Sequence, residues 1–376
     1  MVIPSENAST LGAGVHQTTE GIDFKFVRLP EYKTWYGKPF YKDIDKLLKE
    51  EKPDIIVTGW PYILGFTYGL SLRSLLKKLK IKLIYKDIPF NIPKFQESTR
   101  YYKEQQLQLE SKDKKKKKYT LADFFIYEVV KYSRKLFLNK ADAHIYYTHD
   151  AYEIIGSYGV SKDKMFIAAN SPDTDLLLEA KQKASVLPPI LPPNNFRLLH
   201  VGRLVEWKRV DLIIQVLSRL RSKFPEAELI IIGSGPEETN LKNQVKKLQL
   251  EDHVKFTGAI YDPVLLGRYF LSSSIYVLGG MGGLSINEAM AFGKPVVCSV
   301  CDGTEKILVR EDYNGKYFKN HDENDLYSKL DYLLSRQDLI KKFGENSEKI
   351  ITNEVNIHTV VKEYIKAFNY VTSSNN

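Results

Sequence analysis

The segment that decides the fold reads Gly279-Gly-Met-Gly-Gly-Leu-Ser-Ile-Asn-Glu-Ala-Met-Ala-Phe-Gly-Lys-Pro-Val-Val297. The apolar run 275–278 leads into four glycines within five positions. The pattern then predicts a short helix from Ser285 to Gly293 and a strand that begins at Pro295. Glycine lets a ligand approach the backbone closely, and the start of a helix presents unpaired N–H groups with partial positive charge. The segment is therefore typical of a site for a phosphate or polyhydroxyl ligand.

Length and composition favour a two-domain globular protein with an anionic partner. The chain has 376 residues, 43% of them hydrophobic, with a net charge of +9, and about 150 residues per domain is usual. The positive charge favours phosphate, nucleotide, anionic lipid or nucleic acid as the partner. The N-terminus lacks a signal-peptide pattern, and no apolar run approaches the roughly 18 residues of a membrane span. The two cysteines form no disulfide framework, so we expect a cytoplasmic protein.

Predicted strands alternate with predicted helices along the chain. The strands are predicted at residues 23–29, 53–57, 81–85, 143–147, 165–168, 197–201, 228–232, 254–258, 275–278 and 295–297. This alternation predicts α/β sheets wound on both faces, with ligands bound beyond the carboxyl ends of the strands.

The proline-rich segment Pro188-Pro-Ile-Leu-Pro-Pro-Asn-Asn195 has no helical period and predicts a linker. We therefore expect an N-terminal domain over residues 1–187 and a C-terminal domain over 196–355. A terminal helix is predicted over 356–376.

Several short motifs follow one another in the second half of the chain. They are Gly202-Arg-Leu204 with Lys208, Gly233-Ser-Gly-Pro236, Phe256-Thr-Gly258, Glu288-Ala-Met-Ala291, Glu305 and Asn314-Gly315. In order and spacing they resemble the retaining glycosyltransferases of family four, and the resemblance covers the second domain and the first from about residue 53. It implies the GT-B fold, in which two Rossmann-like doubly wound domains face each other across a cleft. It also implies transfer of a sugar, with retention, from a nucleotide-sugar donor to a glycan or lipid-linked acceptor, without a metal or other cofactor. The terminal helix would cross back to the first domain.

The resemblance assigns roles to particular residues. Arg203 and Lys208 would contact the donor diphosphate, where negative charge grows as the glycosidic bond breaks. The chemistry of the two side chains agrees with this assignment, because arginine offers a planar fork to phosphate oxygens and lysine offers a compact point charge. The other expected donor contacts are Gly202, Gly282, Gly283, Leu284, Ser285 and Glu288, with Ser234, Gly235 and Tyr261 near the base and ribose.

The sequence departs from the family pattern at three places. The first glutamate of the donor motif is replaced by Gly280, which removes the usual contact with the donor sugar's hydroxyls. The usual first-domain histidine is replaced by Asp87, our third candidate catalytic residue, which could bind a sugar hydroxyl or the acceptor; His149 is the alternative. The usual opening strand, glycine loop and helix are not found, since Leu11-Gly-Ala-Gly14 follows no convincing strand.

Two acidic patterns have alternative interpretations. Glu288 either accepts hydrogen bonds from the donor ribose or completes a capping box with Ser285. Asp173-Thr-Asp175 matches the metal motif of the other large glycosyltransferase fold, but two acids one residue apart are also common in turns.

Two further features suggest an acceptor or a surface. The tract Lys112-Asp-Lys-Lys-Lys-Lys-Lys118 would favour an anionic membrane surface, or it is a solvated loop. The aromatic residues Tyr32, Trp35, Tyr36, Phe40 and Tyr41 would stack on acceptor sugars or pack the domain.

The alternative function is a non-catalytic GT-B protein that binds nucleotide sugar or glycan and assists a partner. Nucleic acid is not expected, because no aromatic residues interleave with the lysines.

Overall fold

The computed structural model describes residues 1–4, 23–89, 92–112, 120–301 and 303–373, with the backbone alone over 106–112. Contacts group the chain into two compact units. The first comprises Met1–Ile167 and Glu363–Asn376, and the second Ala168–Lys362. The glycine motif at 11–14 and residues 113–118 of the lysine tract lie outside the described residues.

The first unit contains three groups of strands. Its strands are β1 (Val2–Pro4), β2 (Val27–Leu29), β3 (Glu31–Lys33), β4 (Pro39–Tyr41), β5 (Ile55–Thr58), β6 (Lys82–Asp87), β7 (Ala143–Tyr146) and β8 (Met165–Ile167). Its helices are α1 (Ile44–Glu51), α2 (Ile63–Tyr68), α3 (Leu70–Lys78), α4 (Ser98–Lys112), α5 (Leu121–Leu138) and α6 (Asp150–Ile154). Strands β5 to β8 form a parallel sheet in sequence order, β1 and β2 pair in parallel, and β3 and β4 form an antiparallel hairpin.

The second unit is a six-stranded parallel sheet with helices on both faces. Its strands are β9 (Arg197–Val201), β10 (Glu228–Ile232), β11 (Val254–Gly258), β12 (Ile275–Leu278), β13 (Val296–Cys298) and β14 (Gly315–Tyr317). Its helices are α7 (Thr174–Ser185), α8 (Val210–Leu220), α9 (Glu238–Lys247), α10 (Pro263–Leu271), α11 (Ser285–Ala291), α12 (Glu305–Leu308), α13 (Glu323–Leu334), α14 (Gln337–Asn353) and the first part of α15 (Ile357–Ser373). In β9, Leu198 packs into one apolar core and Leu199 into another, because successive side chains of a strand point to opposite faces.

Most predicted strands are confirmed, and those at 197–201, 228–232, 254–258 and 275–278 agree to the residue. The division between the units lies at Ala168, well before the predicted start of the linker at 188. Helix α7 belongs to the second unit because Leu177 and Ala180 pack in its core. The segment at 188–195 contains no helix or strand, and it lies within the second unit, where Ile190 and Leu191 pack against the core. From Glu363 the terminal helix groups with the first unit.

Candidate functional site

The predicted donor residues surround the point where the second sheet reverses its strand order. The order is β11-β10-β9-β12-β13-β14. Strands β10 and β11 follow β9 on one side of the sheet, and the chain then places β12, β13 and β14 on the other side of β9. Strands β9 and β12 are parallel neighbours, with Ile275 opposite Leu198. Their carboxyl ends therefore open side by side, and ligands of doubly wound sheets bind in the crevice that forms there.

Glycines let the loop after β12 lie directly on the loop after β9. A Cβ atom on Gly279 would lie 2.2 Å from the carbonyl oxygen of Arg209, and one on Gly280 would lie 2.1 Å from that of Trp207. The N–H of Met281 donates to the same Trp207 carbonyl at 2.9 Å. Side chains are excluded here because a real Cβ does not approach backbone below 3.0 Å. This arrangement of the two loops therefore leaves no room for the expected glutamate at position 280.

Lys208 joins the two loops. Its Nζ donates to the carbonyl oxygens of Met281 at 2.9 Å and Gly282 at 2.5 Å, and only 9% of the residue is exposed. A Cβ on Gly283 would lie 3.2 Å from the same Nζ. The ammonium group therefore lies within the glycine loop, where it fixes the loop's backbone and places positive charge at the crevice.

Arg203 follows β9 at the same edge of the sheet. Its guanidinium carbon lies 5.9 Å from the centre of the Trp207 ring, a cation–π distance. The residue is half-buried. Arg203 and Lys208 therefore both lie in the connection between β9 and α8, at the carboxyl end of β9.

The loop after β10 packs against the same turn. A Cβ on Gly233 would lie 1.8 Å from the carbonyl oxygen of Gly202, and one on Gly235 would lie 2.3 Å from that of Leu204. The N–H of Leu204 donates to the carbonyl of Ser234 at 2.9 Å. The structure thus brings the Gly202 and Ser234 segments together. Tyr261, beyond β11, is 85% exposed.

Helix α11 begins at Ser285 as predicted, but the capping box is wrong. Ser285 is the first helical residue and Leu284 occupies the cap position, where no side chain caps the helix. The Ser285 hydroxyl instead hydrogen-bonds the Tyr276 hydroxyl at 2.7 Å. Glu288 is half-buried, and burial raises the pKa of its carboxyl. Among the described residues its carboxylate has no hydrogen-bond donor, so capping does not explain this glutamate.

Asp87 belongs to the first unit, at the end of β6. Its carboxylate accepts hydrogen bonds from the Tyr85 hydroxyl and, at 2.8 Å, from the N–H of Ile88. Burial raises its pKa, and these hydrogen bonds oppose the shift. Asp87 thus lies at the carboxyl edge of its own sheet. The alternative, His149, is the residue that precedes α6, and its ring centre lies 6.0 Å from that of Tyr152.

The aspartates of the possible metal motif have structural partners. Asp173 caps α7 by accepting from the N–H groups of Asp175 and Leu176 at 3.1 and 3.2 Å. Asp175 lies 2.8 Å from His358. Across the described ranges, no group of three or more His, Cys, Asp or Glu side chains could hold a metal ion. The helix cap therefore accounts for the position of Asp173.

His200, a buried residue of β9 beside the crevice loops, was not among the predicted site residues. Its Nδ1 lies 3.1 Å from the carbonyl oxygen of Val277, which requires the proton on Nδ1. Nε2 has no hydrogen-bond partner within the described structure, and a Cβ on Gly202 would lie 3.6 Å from it. Burial, with a smaller contribution from Lys208, lowers the pKa of His200 to about 4, so the ring is neutral. The only signal in the sequence was one polar residue inside an apolar strand.

Comparison with known proteins shows what the region around this crevice is similar to. Residues 188–350 match the family described as glycosyl transferases group 1. The chain is 29% identical over 259 residues to an uncharacterized glycosyltransferase of Haemophilus influenzae, covering 63% of this chain and 72% of that protein. It is 26% identical over 171 residues to a poly(ribitol-phosphate) alpha-N-acetylglucosaminyltransferase of Staphylococcus aureus, covering 45% of this chain and 34% of that enzyme. The chain therefore spans only about a third of the length of this second relative.

Solved structures share the fold. The chain matches HepE of Anabaena in complex with UDP with a TM-score of 0.60 at 17% identity, covering 86% of this chain and 81% of that one. Together with two α/β units built on parallel sheets, this likeness confirms the predicted GT-B fold.

Proposed function

We propose that this protein is a retaining glycosyltransferase that moves a hexose from a nucleotide-sugar donor to a glycan or lipid-linked acceptor. The observation that carries the proposal is the cationic, glycine-built crevice at the reversal point of the second sheet. The match of residues 188–350 to glycosyl transferases group 1 supports it, as does UDP in the HepE structure. The Staphylococcus aureus relative favours a UDP-linked N-acetylhexosamine among the donors to be tried first.

The crevice suits the departure of a nucleoside diphosphate. As the glycosidic bond breaks, its electron pair moves to the β-phosphate oxygen, where negative charge grows. Arg203 would meet this charge with paired N–H donors, and Lys208 would add a point charge from within the loop. Both are fixed before the reaction, so their stabilisation of the charge requires little reorganisation. A metal ion is not required in this account, because the two cations supply the positive charge.

The experiment that tests the function is an NMR assay with purified protein. UDP- and GDP-sugars are incubated with and without candidate acceptors, and the anomeric proton of any released or transferred sugar is followed. We expect release of the nucleoside diphosphate from one donor and a product with the donor's anomeric configuration. Inverted product would contradict retention. Donor binding without any hydrolysis or transfer would favour the alternative of a non-catalytic binding partner.

Glu288 gives the donor site a predicted pH dependence. Only the ionised carboxylate accepts from two ribose hydroxyls, and burial raises the pKa of this group above that of an exposed glutamate. Donor affinity should therefore decline as the pH falls, and the decline should begin at a higher pH than for an exposed glutamate. Glu288→Gln should bind more weakly at neutral pH and lose this dependence, which isothermal titration with UDP-sugar would measure. Equal affinity of the variant and the wild type would rule out the ribose contact.

We further propose that the protein attaches to an anionic bilayer surface. Helix α5 carries apolar side chains at helical spacing that are between 45% and 79% exposed: Leu121, Phe125, Val129, Tyr132 and Leu136. The lysine tract ends at Lys118, just before this helix, so basic and apolar residues are neighbours in the sequence. This combination favours a helix that lies in the membrane interface. None of the described helices has the length and apolar content needed to cross a membrane.

Binding to lipid vesicles tests the attachment. We expect the protein to sediment with vesicles that contain phosphatidylglycerol, and to do so less as salt is raised. The double variant Phe125→Ser/Val129→Ser should weaken partitioning at least tenfold, since each buried apolar side chain contributes roughly 1.5–3 kcal/mol. Val186→Ser, which changes an even more exposed apolar residue in the second unit, is the control. Unchanged partitioning of the double variant would refute the membrane assignment.

A further inference from the structure

The first unit contains an aromatic cavity that the donor chemistry does not use. It has a volume of about 530 Å³ and lies between the β3–β4 hairpin, the start of α1 and the α2–α3 junction. Its aromatic lining consists of Tyr32, Trp35, Tyr36, Phe40, Tyr41 and Tyr68. A volume of this size suits a ligand of one or two sugar rings, within the usual range for small-molecule sites.

The aromatic rings form a wall whose outer member is open to solvent. Trp35 is 88% exposed, and its ring packs edge-on against Tyr36 at a centroid distance of 5.2 Å. Tyr36 in turn lies 5.9 Å from Tyr68. Phe40 is buried against α2, where Gly65 leaves room for its ring. The inner rings therefore pack the unit, whereas Trp35 and Tyr32, which is 44% exposed, present aromatic surface to the cavity.

The cavity lies at the edge of the sheet where ligands bind. Helices α2 and α3 form the crossover from β5 to the parallel strand β6, and α3 returns the chain to the amino end of β6. The α2–α3 junction at Gly69 is therefore near the carboxyl end of the sheet, the edge at which Asp87 terminates β6.

Acidic and hydroxyl groups line the cavity beside the rings. Asp43 and Asp45 contribute carboxylates, and Thr34 and Ser71 contribute hydroxyls. Asp43 also pairs with Lys46 at 2.7 Å, and Asp45 with Lys49 at 3.3 Å, so carboxylate oxygens that can accept hydrogen bonds lie beside the rings. A pyranose ring has an apolar face of C–H groups and a perimeter of hydroxyl donors. The cavity offers a matching surface to each.

We propose that this aromatic cavity is a binding site for a pyranose unit of the acceptor glycan, with Trp35 as its stacking platform. The inference rests on the proposed transfer function and names the chemical class of its acceptor. The observations favour a saccharide over the lipid of a lipid-linked acceptor, because carboxylates and hydroxyls lie among the rings.

Fluorine NMR of protein labelled with 5-fluorotryptophan tests the site. The chain has three tryptophans, and Trp→Phe variants assign their signals. Trp35 reports on the cavity, and Trp207 reports on the donor crevice. Trp60 is not among the residues that line the cavity, so its signal is the internal control. We titrate glucose, galactose, N-acetylglucosamine and N-acetylgalactosamine into the millimolar range expected for ligands of this size, and UDP separately.

The expected result is a saturable shift of the Trp35 signal with at least one sugar and no shift of the Trp60 signal. UDP should shift the Trp207 signal alone. In saturation-transfer experiments, Trp35→Ala should weaken binding of that sugar about tenfold, while Leu70→Ala, an exposed apolar residue of the same unit, should leave it unchanged. If no sugar in the panel shifts Trp35, or if Trp35→Ala binds as well as wild type, the cavity site is refuted. A sugar response at Trp35 without a UDP response at Trp207 would instead refute the donor site and leave this inference standing.

Discussion

Gly280→Glu, which restores the glutamate expected from the family pattern, is predicted to lower transfer about hundredfold. A Cβ at this position would lie 2.1 Å from the Trp207 carbonyl oxygen, so the loop after β12 must move away from the loop after β9. Lys208 holds these loops together through the Met281 and Gly282 carbonyls. Displacement of such contacts by about 1 Å can cost a hundredfold in rate. Steady-state transfer or donor hydrolysis measures the effect.

A smaller change at the same position separates sterics from charge. Gly280→Ala should also impair donor binding and lower the free energy of unfolding by about 1–3 kcal/mol, as overpacking does. Gly156→Ala is the matched control, because an added Cβ there meets no atom within 4 Å. If Gly280→Glu were instead more active than wild type, the steric explanation for the missing glutamate would be wrong.

Arg203→Ala is expected to reduce the turnover of donor about hundredfold while the fold stays intact. Removal of one contact to developing charge costs roughly 3 kcal/mol of transition-state stabilisation. The residue is half-buried beside Trp207 and belongs to neither apolar core of the second unit. Rates from single-turnover assays, together with the thermal unfolding midpoint, distinguish a loss of catalysis from a loss of structure.

The control for Arg203→Ala is the same change at an arginine that has no proposed role in donor binding. Arg73→Ala removes an exposed guanidinium from α3 and should leave the rate unchanged. Arg203→Lys should recover part of the activity, since it keeps the charge but not the planar fork. Wild-type turnover in Arg203→Ala would remove this residue from the proposed catalytic groups.

Most of the strands could be predicted because they are apolar runs, several of them bounded by glycine or proline. The runs at 197–201 and 275–278 mark β9 and β12, and the loops that follow them carry the site. The β3–β4 hairpin was missed, because residues 31–41 mix lysines with aromatic residues and show no alternation. The three-residue strand β1 is likewise too short to produce a periodic signal.

The details of the site depend on contacts between loops that are distant in sequence. The charge of Lys208 was evident, but its hydrogen bonds to the glycine-loop carbonyls require the folded arrangement of both loops. The spacing of Ser285 and Glu288 fits a capping box, yet the Ser285 hydroxyl bonds to Tyr276 on β12. Spacing along a helix identifies possible partners, whereas packing against the neighbouring strand determines which hydrogen bond forms.

The most direct measurement is a crystal structure of the protein with UDP bound. We expect the pyrophosphate to lie at the carboxyl ends of β9 and β12, within hydrogen-bonding distance of Arg203 and the N–H groups that follow Gly282. Pyrophosphate bound at any other place in the molecule would contradict this prediction. The absence of bound nucleotide at UDP concentrations that saturate known transferases would also contradict it.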